Sequence, residues 1–205
     1  MVAKQIQLHI DGFGLDNPFQ SAYKSFHSTE SALLSVQNDI YMAMESGNVT
    51  ALTLLDLSAA FDTIDHGVLL GRLLDWFGIG ETALKWIVSY LSNRSQTVNI
   101  NGNFSIPHSL HFGVPQGSVL GPLLFILYTT PLNKLLGISN TSNFCSFITK
   151  LQNCLVSVKD WMFQNLLKIN PDKTEFILIG NKSHRKKIDS DFPINILRNQ
   201  LNQAS

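Results

Sequence analysis

The chain is short of charge and short of cysteine. Only 15% of its 205 residues are charged, and 15 Lys and Arg balance 15 Asp and Glu, so the net charge is zero. That is a poor electrostatic footprint for a protein that holds nucleic acid, because phosphate binding is mostly cationic. The two cysteines, Cys145 and Cys154, form no Cys-x-x-Cys pair. That argues against a disulfide scaffold or a zinc site and fits a reducing compartment. The N-terminus has no basic start followed by a long apolar run, so no signal peptide is expected. The longest apolar stretch, Val119 to Tyr128, is interrupted by Gly121-Pro122 and is too short to span a bilayer. Together these absences predict a soluble intracellular protein of the nucleus or cytoplasm, with no membrane association. No internal repeat occurs.

What is present is apolar: 44% of residues are hydrophobic, enough to build the core of one domain or a large part of one. Residues 1–18 read as an irregular segment, with Gly12, Gly14 and Pro18 as breakers. A helix is expected after Ser28, a good N-cap, with Glu30 in its first turn. Its apolar stripe would be Leu33, Val36, Ile40 and Met44, and Gly47 its stop. Val49 to Leu57 reads as a strand covered on both faces. Asp65 can cap a helix over His66 to Phe77 that buries Leu69, Leu70, Leu73, Leu74 and Phe77 and ends at Gly78. Thr82 to Leu91 is a further helix, carrying Leu84, Ile87, Val88 and Leu91.

The hydrophobic period then changes to two. Ser95 to Ile100 and Phe104 to Phe112 flank Asn101-Gly102, a strong hairpin signal. A helix around Pro122 to Tyr128 is ended or kinked by Pro131. A long amphipathic helix follows, with Ile148, Leu151, Leu155, Val158, Met162 and Leu166 on one face. Asn170-Pro171-Asp172 marks a turn, and Thr174 to Ile179 a strand. One hairpin with segregated helices predicts an α+β fold rather than repeating βαβ units.

Three segments carry candidate chemistry. Leu54-Leu55-Asp56-Leu57-Ser58-Ala59-Ala60-Phe61-Asp62-Thr63-Ile64-Asp65-His66 places an acid at the end of an apolar strand, then an aromatic and a second acid. A stiff strand can hold a carboxylate in place before a metal arrives, but a strand followed by an acidic helix cap reads the same way. Gly113-Val114-Pro115-Gln116-Gly117-Ser118 puts glycines around Pro115-Gln116, where backbone can approach a ligand closely. Phe19 to Glu30 contains Lys24. His27, His66, His108 and His111 show no metal-ligand spacing and read as structural or surface residues.

These three segments, in this order, and a fourth from Trp161 to Gly180, resemble the reverse transcriptase domain of non-LTR (LINE-type) retrotransposons. The resemblance runs over roughly residues 15 to 180. It implies the fingers and palm of a right-hand polymerase, with an antiparallel palm sheet packed on helices. It also implies RNA-directed DNA polymerase activity by two-metal nucleotidyl transfer, with Mg²⁺ or Mn²⁺ as cofactor. RNA template, DNA primer and deoxynucleotides would be the partners.

Residue by residue, Asp56 is implied as the first catalytic metal ligand, and the backbone carbonyl of Leu57 as a further ligand. Phe61 matches the aromatic gate that excludes a ribose 2′-hydroxyl. Asp62 matches a family position, read as structural with a direct metal role as the alternative. Gln116 and Gly117 belong to the nucleotide-binding loop. Lys24 and Lys173 match basic positions near the triphosphate and pyrophosphate. Lys182, Arg185, Lys186 and Lys187 form a basic cluster that reads either as a nucleic-acid contact or as a solvated tail.

One block of the family pattern is missing. The Tyr-x-Asp-Asp hairpin has no counterpart: Gly137 to Phe147 contains no acid, and no adjacent Asp pair occurs anywhere in the sequence. The expected organisation is an irregular segment 1–18, a partial fingers–palm domain 19–180 with an internal deletion near 137–147, and a polar, basic tail 181–205. Neither the family's upstream endonuclease nor a thumb after Pro193 is expected, so the chain reads as a fragment. Thr174 to Ile179 is expected to slide in as a substitute partner for the Asp56 strand.

Without its companions Asp56 cannot fix two metals, so impaired catalysis is expected. Two other readings stand beside this one. One is a non-catalytic module that binds RNA or an RNA–DNA hybrid; the other is an unselected, poorly folded retroelement relic.

Overall fold

The computed structural model describes residues 1–135 and 144–180. The expected deletion region, 137–147, lies mostly outside the described residues. The tail 181–205, with Lys182, Arg185, Lys186 and Lys187, lies wholly outside them. The chain divides into two compact units. One comprises Met1–Pro18, Ala59–Gly137 and Phe163–Leu167; the other comprises Phe19–Ser58, Ile138–Met162 and Lys168–Ser205.

The first unit opens with a helix, α1 (Val2–Gly12), where the sequence suggested irregular chain. The reason is positional. Gly12 and Gly14 stand at the end of the helix rather than inside it, and Ile6 and Ile10, one turn apart, are both buried. Burying two such side chains contributes roughly 1.5–3 kcal/mol each, which outweighs the weak propensity of a short segment.

In the same unit α3 (His66–Asp75) starts at Asp65, whose Oδ1 accepts the Val68 N–H at 2.8 Å. Leu69, Leu73 and Phe77 are buried as expected, but Leu70 is only partly so and Leu74 is exposed. Four leucines and two aromatics in twelve residues cover more than one face, and only one face meets the core. α4 (Glu81–Leu91) buries Ile87 and Leu91 and leaves Val88 exposed.

The hairpin forms at its predicted turn. β4 (Asn99–Ile100) pairs with β5 (Asn103–Phe104), with Asn101 at φ 51° and Gly102 at φ 85°. Positive φ at both turn residues is the geometry that matches strand twist. β3 (Arg94–Gln96) and β6 (His108–Leu110) continue the pairing further out. α5 (Leu120–Thr129) is the most buried helix of the unit, with Leu120, Leu124, Leu127 and Tyr128 inside. Past it the chain tightens to a 3₁₀ turn, Thr130–Leu135, around Pro131.

The second unit contains α2 (Thr29–Glu45), capped reciprocally by Ser28 and Ser31. Its predicted stripe is not a core stripe. Leu33 and Val36 are exposed, Ile40 and Met44 are half-buried, and no α2 residue is fully buried. Periodicity shows which side chains share a face, but tertiary packing decides whether that face is covered.

The expected long strand is broken into β1 (Thr50–Leu54) and β2 (Leu57–Ser58), and neither is fully buried. β1 pairs antiparallel with β8 (Glu175–Ile179), from Thr50↔Ile179 to Leu54↔Glu175. β2 pairs with β7 (Lys168–Ile169) through Leu57↔Ile169 and Ser58↔Lys168. Thr174 to Ile179 is therefore a partner of the Asp56 strand, as the sequence suggested.

α6 (Phe144–Gln164) buries Leu155, Val158 and Met162. Leu166 falls beyond its end, exposed and at φ 54°, and Leu167 takes the buried position instead.

The class is α+β, with helices and small antiparallel strand pairs, in agreement with the sequence. Among the described residues the strands form four separate two-stranded pairs rather than one palm sheet. No described helix is long and apolar enough to cross a membrane.

Candidate functional site

The predicted site residues fall into two groups, each inside one unit. In the second unit, Asp56 sits in the gap between two ladders. β1–β8 ends at Leu54↔Glu175 and β2–β7 begins at Leu57↔Ile169, so Leu55-Asp56 lies opposite Asn170 to Thr174. The Asn170 N–H donates to the Asp56 carbonyl at 2.8 Å. Asn170 then organises the turn behind it. Its Oδ1 accepts the Asp172 N–H at 3.1 Å, and its carbonyl accepts the Thr174 hydroxyl at 2.8 Å. Pro171–Lys173 forms one 3₁₀ turn on this base. The turn carries the Lys173 ammonium to 3.9 Å from Asp56 Oδ2. On β1 nearby in sequence, the Thr53 hydroxyl is buried and has no hydrogen-bond partner among the described residues.

In the first unit, Phe61, Asp62 and the Gly113–Ser118 loop are stitched together. Val114 N–H donates to Phe61 O at 2.9 Å, and Gly113 N–H to Ile64 O at 2.8 Å. His66 Nε2 lies 2.8 Å from the Gly113 carbonyl, and Arg94 Nη1 donates to the same carbonyl at 3.2 Å. Gly113 has φ 79°, and a Cβ there would stand 2.9 Å from the Asp62 backbone and the Phe61 carbonyl. Glycine is required here on both counts.

Gln116 Nε2 donates to both Asp62 carboxylate oxygens at 2.9 Å. An ionised carboxylate only accepts, so the amide nitrogen must be the atom that faces it. Phe61 is half-buried, and its ring leans on Phe125 with centroids 5.0 Å apart. Gly117 takes φ 73° in the turn after Gln116. Lys24 is half-buried in the second unit, between Tyr23 and Phe26, which both have positive φ.

A polar cluster in the first unit escaped the sequence reading. Arg72 on α3 donates to the Tyr128 carbonyl and to Asn165 Oδ1, with its guanidinium carbon 4.6 Å from the Tyr128 ring centroid. The Tyr128 hydroxyl donates to the Asn165 carbonyl at 2.5 Å. Burial pushes the Tyr128 phenol up and the Arg72 guanidinium down from their ordinary values. The available signal was a charged residue, Arg72, set among the core leucines of α3. A cavity of about 540 Å³ also lies in this unit, lined by Ile6, His9, Ile79, Trp86 and Ile87 among others, and no predicted site residue borders it.

The two-metal centre implied by the resemblance asks for several oxygen ligands around a pair of dications. Among the described residues no three His, Cys, Asp or Glu side chains gather where they could hold a metal ion. Asp56 is paired instead with an ammonium, which has donors only and cannot ligate. Leu57 stands in the β2–β7 ladder opposite Ile169. The described residues do not fit a two-metal centre.

Comparison with known proteins gives the lineage. The family model "Reverse transcriptase (RNA-dependent DNA polymerase)" matches residues 1–190. The chain is 29% identical over 175 residues to a "Probable RNA-directed DNA polymerase from transposon BS" of Drosophila melanogaster, covering 76% of this chain and 19% of that protein. It is 27% identical over 186 residues to the "RNA-directed DNA polymerase from mobile element jockey" of the same fly, covering 80% of this chain and 20% of that protein. The chain thus spans about a fifth of the length of these relatives.

Among solved structures, an apo telomerase from Candida tropicalis, truncated from its C-terminal domain, superposes with a TM-score of 0.62 at 18% identity. That match covers 87% of this chain and 40% of that one and shows a shared fold. With matched motifs, matched fold and transposon-encoded relatives in agreement, the chain belongs to the reverse transcriptase family and is a domain of the non-LTR, LINE type.

Proposed function

We propose that this chain is a reverse transcriptase-type domain that holds template and primer without extending them. Asp56 is its first acid, Phe61 its aromatic gate, and Gln116 with Gly117 its nucleotide-side loop. Lys24 is a basic contact of the fingers, and the tail residues Lys182, Arg185, Lys186 and Lys187 add contacts to phosphate. Reverse transcriptases generally use divalent metal ions. The observation that carries the reading is the pairing of Asp56, among the described residues, with the Lys173 ammonium rather than with a second carboxylate.

The chain's own residues can still do three things. The Gln116 loop, anchored through Gly113, can orient a base or sugar. The Phe61 ring can limit the space beside a ribose. The basic residues can neutralise phosphates. Because the net charge is zero, binding rests on these few contacts and falls steeply with salt.

The test combines two assays on one preparation. Fluorescence anisotropy with a labelled RNA–DNA hybrid is expected to show binding at low salt that weakens linearly in log salt concentration. Primer extension on the same hybrid is expected to show no incorporation. Absence of binding at low salt, or extension that vanishes in Asp56→Ala, would overturn the proposal.

A further inference from the structure

The metal centre implied by the family and the charges around Asp56 disagree. From that disagreement we infer that Lys173 is the resident counter-cation of Asp56, placed by the fold where it repels a divalent ion from that carboxylate. The inference rests on the reading of Asp56 as the family's first acid; it does not require that the chain bind nucleic acid.

The backbone brings the two residues together. Two ladders fix the chain on either side: Leu54↔Glu175 before Asp56 and Leu57↔Ile169 after it. The bond from Asn170 N–H to the Asp56 carbonyl joins the two gaps directly, and Asn170 also caps the turn that presents Lys173. The register thus sets the Lys173 turn beside Asp56, and the ammonium lies 3.9 Å from Asp56 Oδ2.

Magnitude decides what the pair is for. Its side chains are 72% and 44% exposed, and an exposed ion pair adds little to stability. A unit positive charge close to a carboxylate still weakens that carboxylate's attraction for a dication, because the two cations compete for the same partner and repel each other. The same exposure leaves the Asp56 oxygens open to solvent, so an ion could reach them if the ammonium were gone.

The experiment is a Mn²⁺ titration of the protein alone, followed by paramagnetic broadening of the Leu55 to Ser58 amide signals. Wild type, Lys173→Gln and Asp56→Asn are compared. Coincident amide spectra away from residues 168–176 serve as the folding control. Lys173→Gln is expected to reach a given broadening at roughly three- to tenfold lower Mn²⁺ than wild type. Asp56→Asn is expected to remove the local effect. Equal behaviour of wild type and Lys173→Gln, including no broadening in either, would overturn the inference. Broadening that persists in Asp56→Asn would overturn it as well. Metal binding is read without nucleic acid, so a failure of hybrid binding leaves this result interpretable, and the converse also holds.

Discussion

The ammonium of Lys173 stands 3.9 Å from Oδ2 of Asp56, although 117 positions of chain numbering separate the two residues. The β1–β8 and β2–β7 ladders close around them and leave Asp56 facing the Asn170–Thr174 turn. The contact brings together an acid and a base. Because the pair is exposed, Lys173→Gln is expected to change folding stability by less than about 1 kcal/mol. A urea melt checks this. A larger loss would mean that the pair is a structural clamp and not a charge arrangement.

Gly113 tests the integrity of the first group. Its φ of 79° and the 2.9 Å spacing that a Cβ would have to Asp62 and Phe61 leave no room for a side chain. Gly113→Ala is expected to cost ~2–4 kcal/mol, from left-handed backbone strain plus the clash with backbone that cannot swing aside. Thermal denaturation should show a lower midpoint. An unchanged midpoint would show that the loop is not held as described.

Tyr128 gives a pH dependence. Its hydroxyl is buried and donates to the Asn165 carbonyl, and burial raises its pKa above the ordinary phenol value. A raised folded-state pKa contributes stability that is fully present below the unfolded pKa near 10 and is lost as pH rises through the folded value. Wild-type stability should therefore fall above about pH 10 more steeply than that of Tyr128→Phe. At pH 7 Tyr128→Phe should itself be less stable by about 1–2 kcal/mol, because it removes a buried hydrogen bond. Urea midpoints of both proteins across pH 8–11 decide the matter; parallel curves would contradict the account.

Thr53 predicts a gain. Its buried hydroxyl has no partner among the described residues, so it carries a desolvation cost with no return. Thr53→Val keeps the shape and β-branching and is expected to leave stability unchanged or raise it by up to about 1 kcal/mol. A loss of that size in chemical denaturation would mean that the hydroxyl is bonded in solution.

Much of this was legible where the signal is local. The Ser28 cap, the Asp65 cap and the Asn101-Gly102 turn each act within a few residues, and each appears where its chemistry places it. The family was legible from the motifs around Asp56 and Gln116. What the sequence hid is non-local. α1 was obscured because Gly12 and Gly14 look like breakers until Ile6 and Ile10 are seen to be buried. The exposed stripe of α2 has the right period, but among the described residues little packs over it. The Gln116–Asp62 bond and the Arg72–Tyr128–Asn165 cluster join side chains far apart in the chain. The Lys173–Asp56 pair depends on the register of two ladders, which no single segment encodes.

The central proposal is that this reverse transcriptase domain lacks a working metal centre at Asp56. Primer extension measures it most directly. Purified chain with a cooperative melt is given an RNA template, a DNA primer, labelled deoxynucleotides and Mn²⁺, with Asp56→Ala run in parallel. The account predicts no incorporation above the Asp56→Ala background, even over long single-turnover incubations. Incorporation by wild type that disappears in Asp56→Ala would contradict it, and would mean that further acids complete the site in solution.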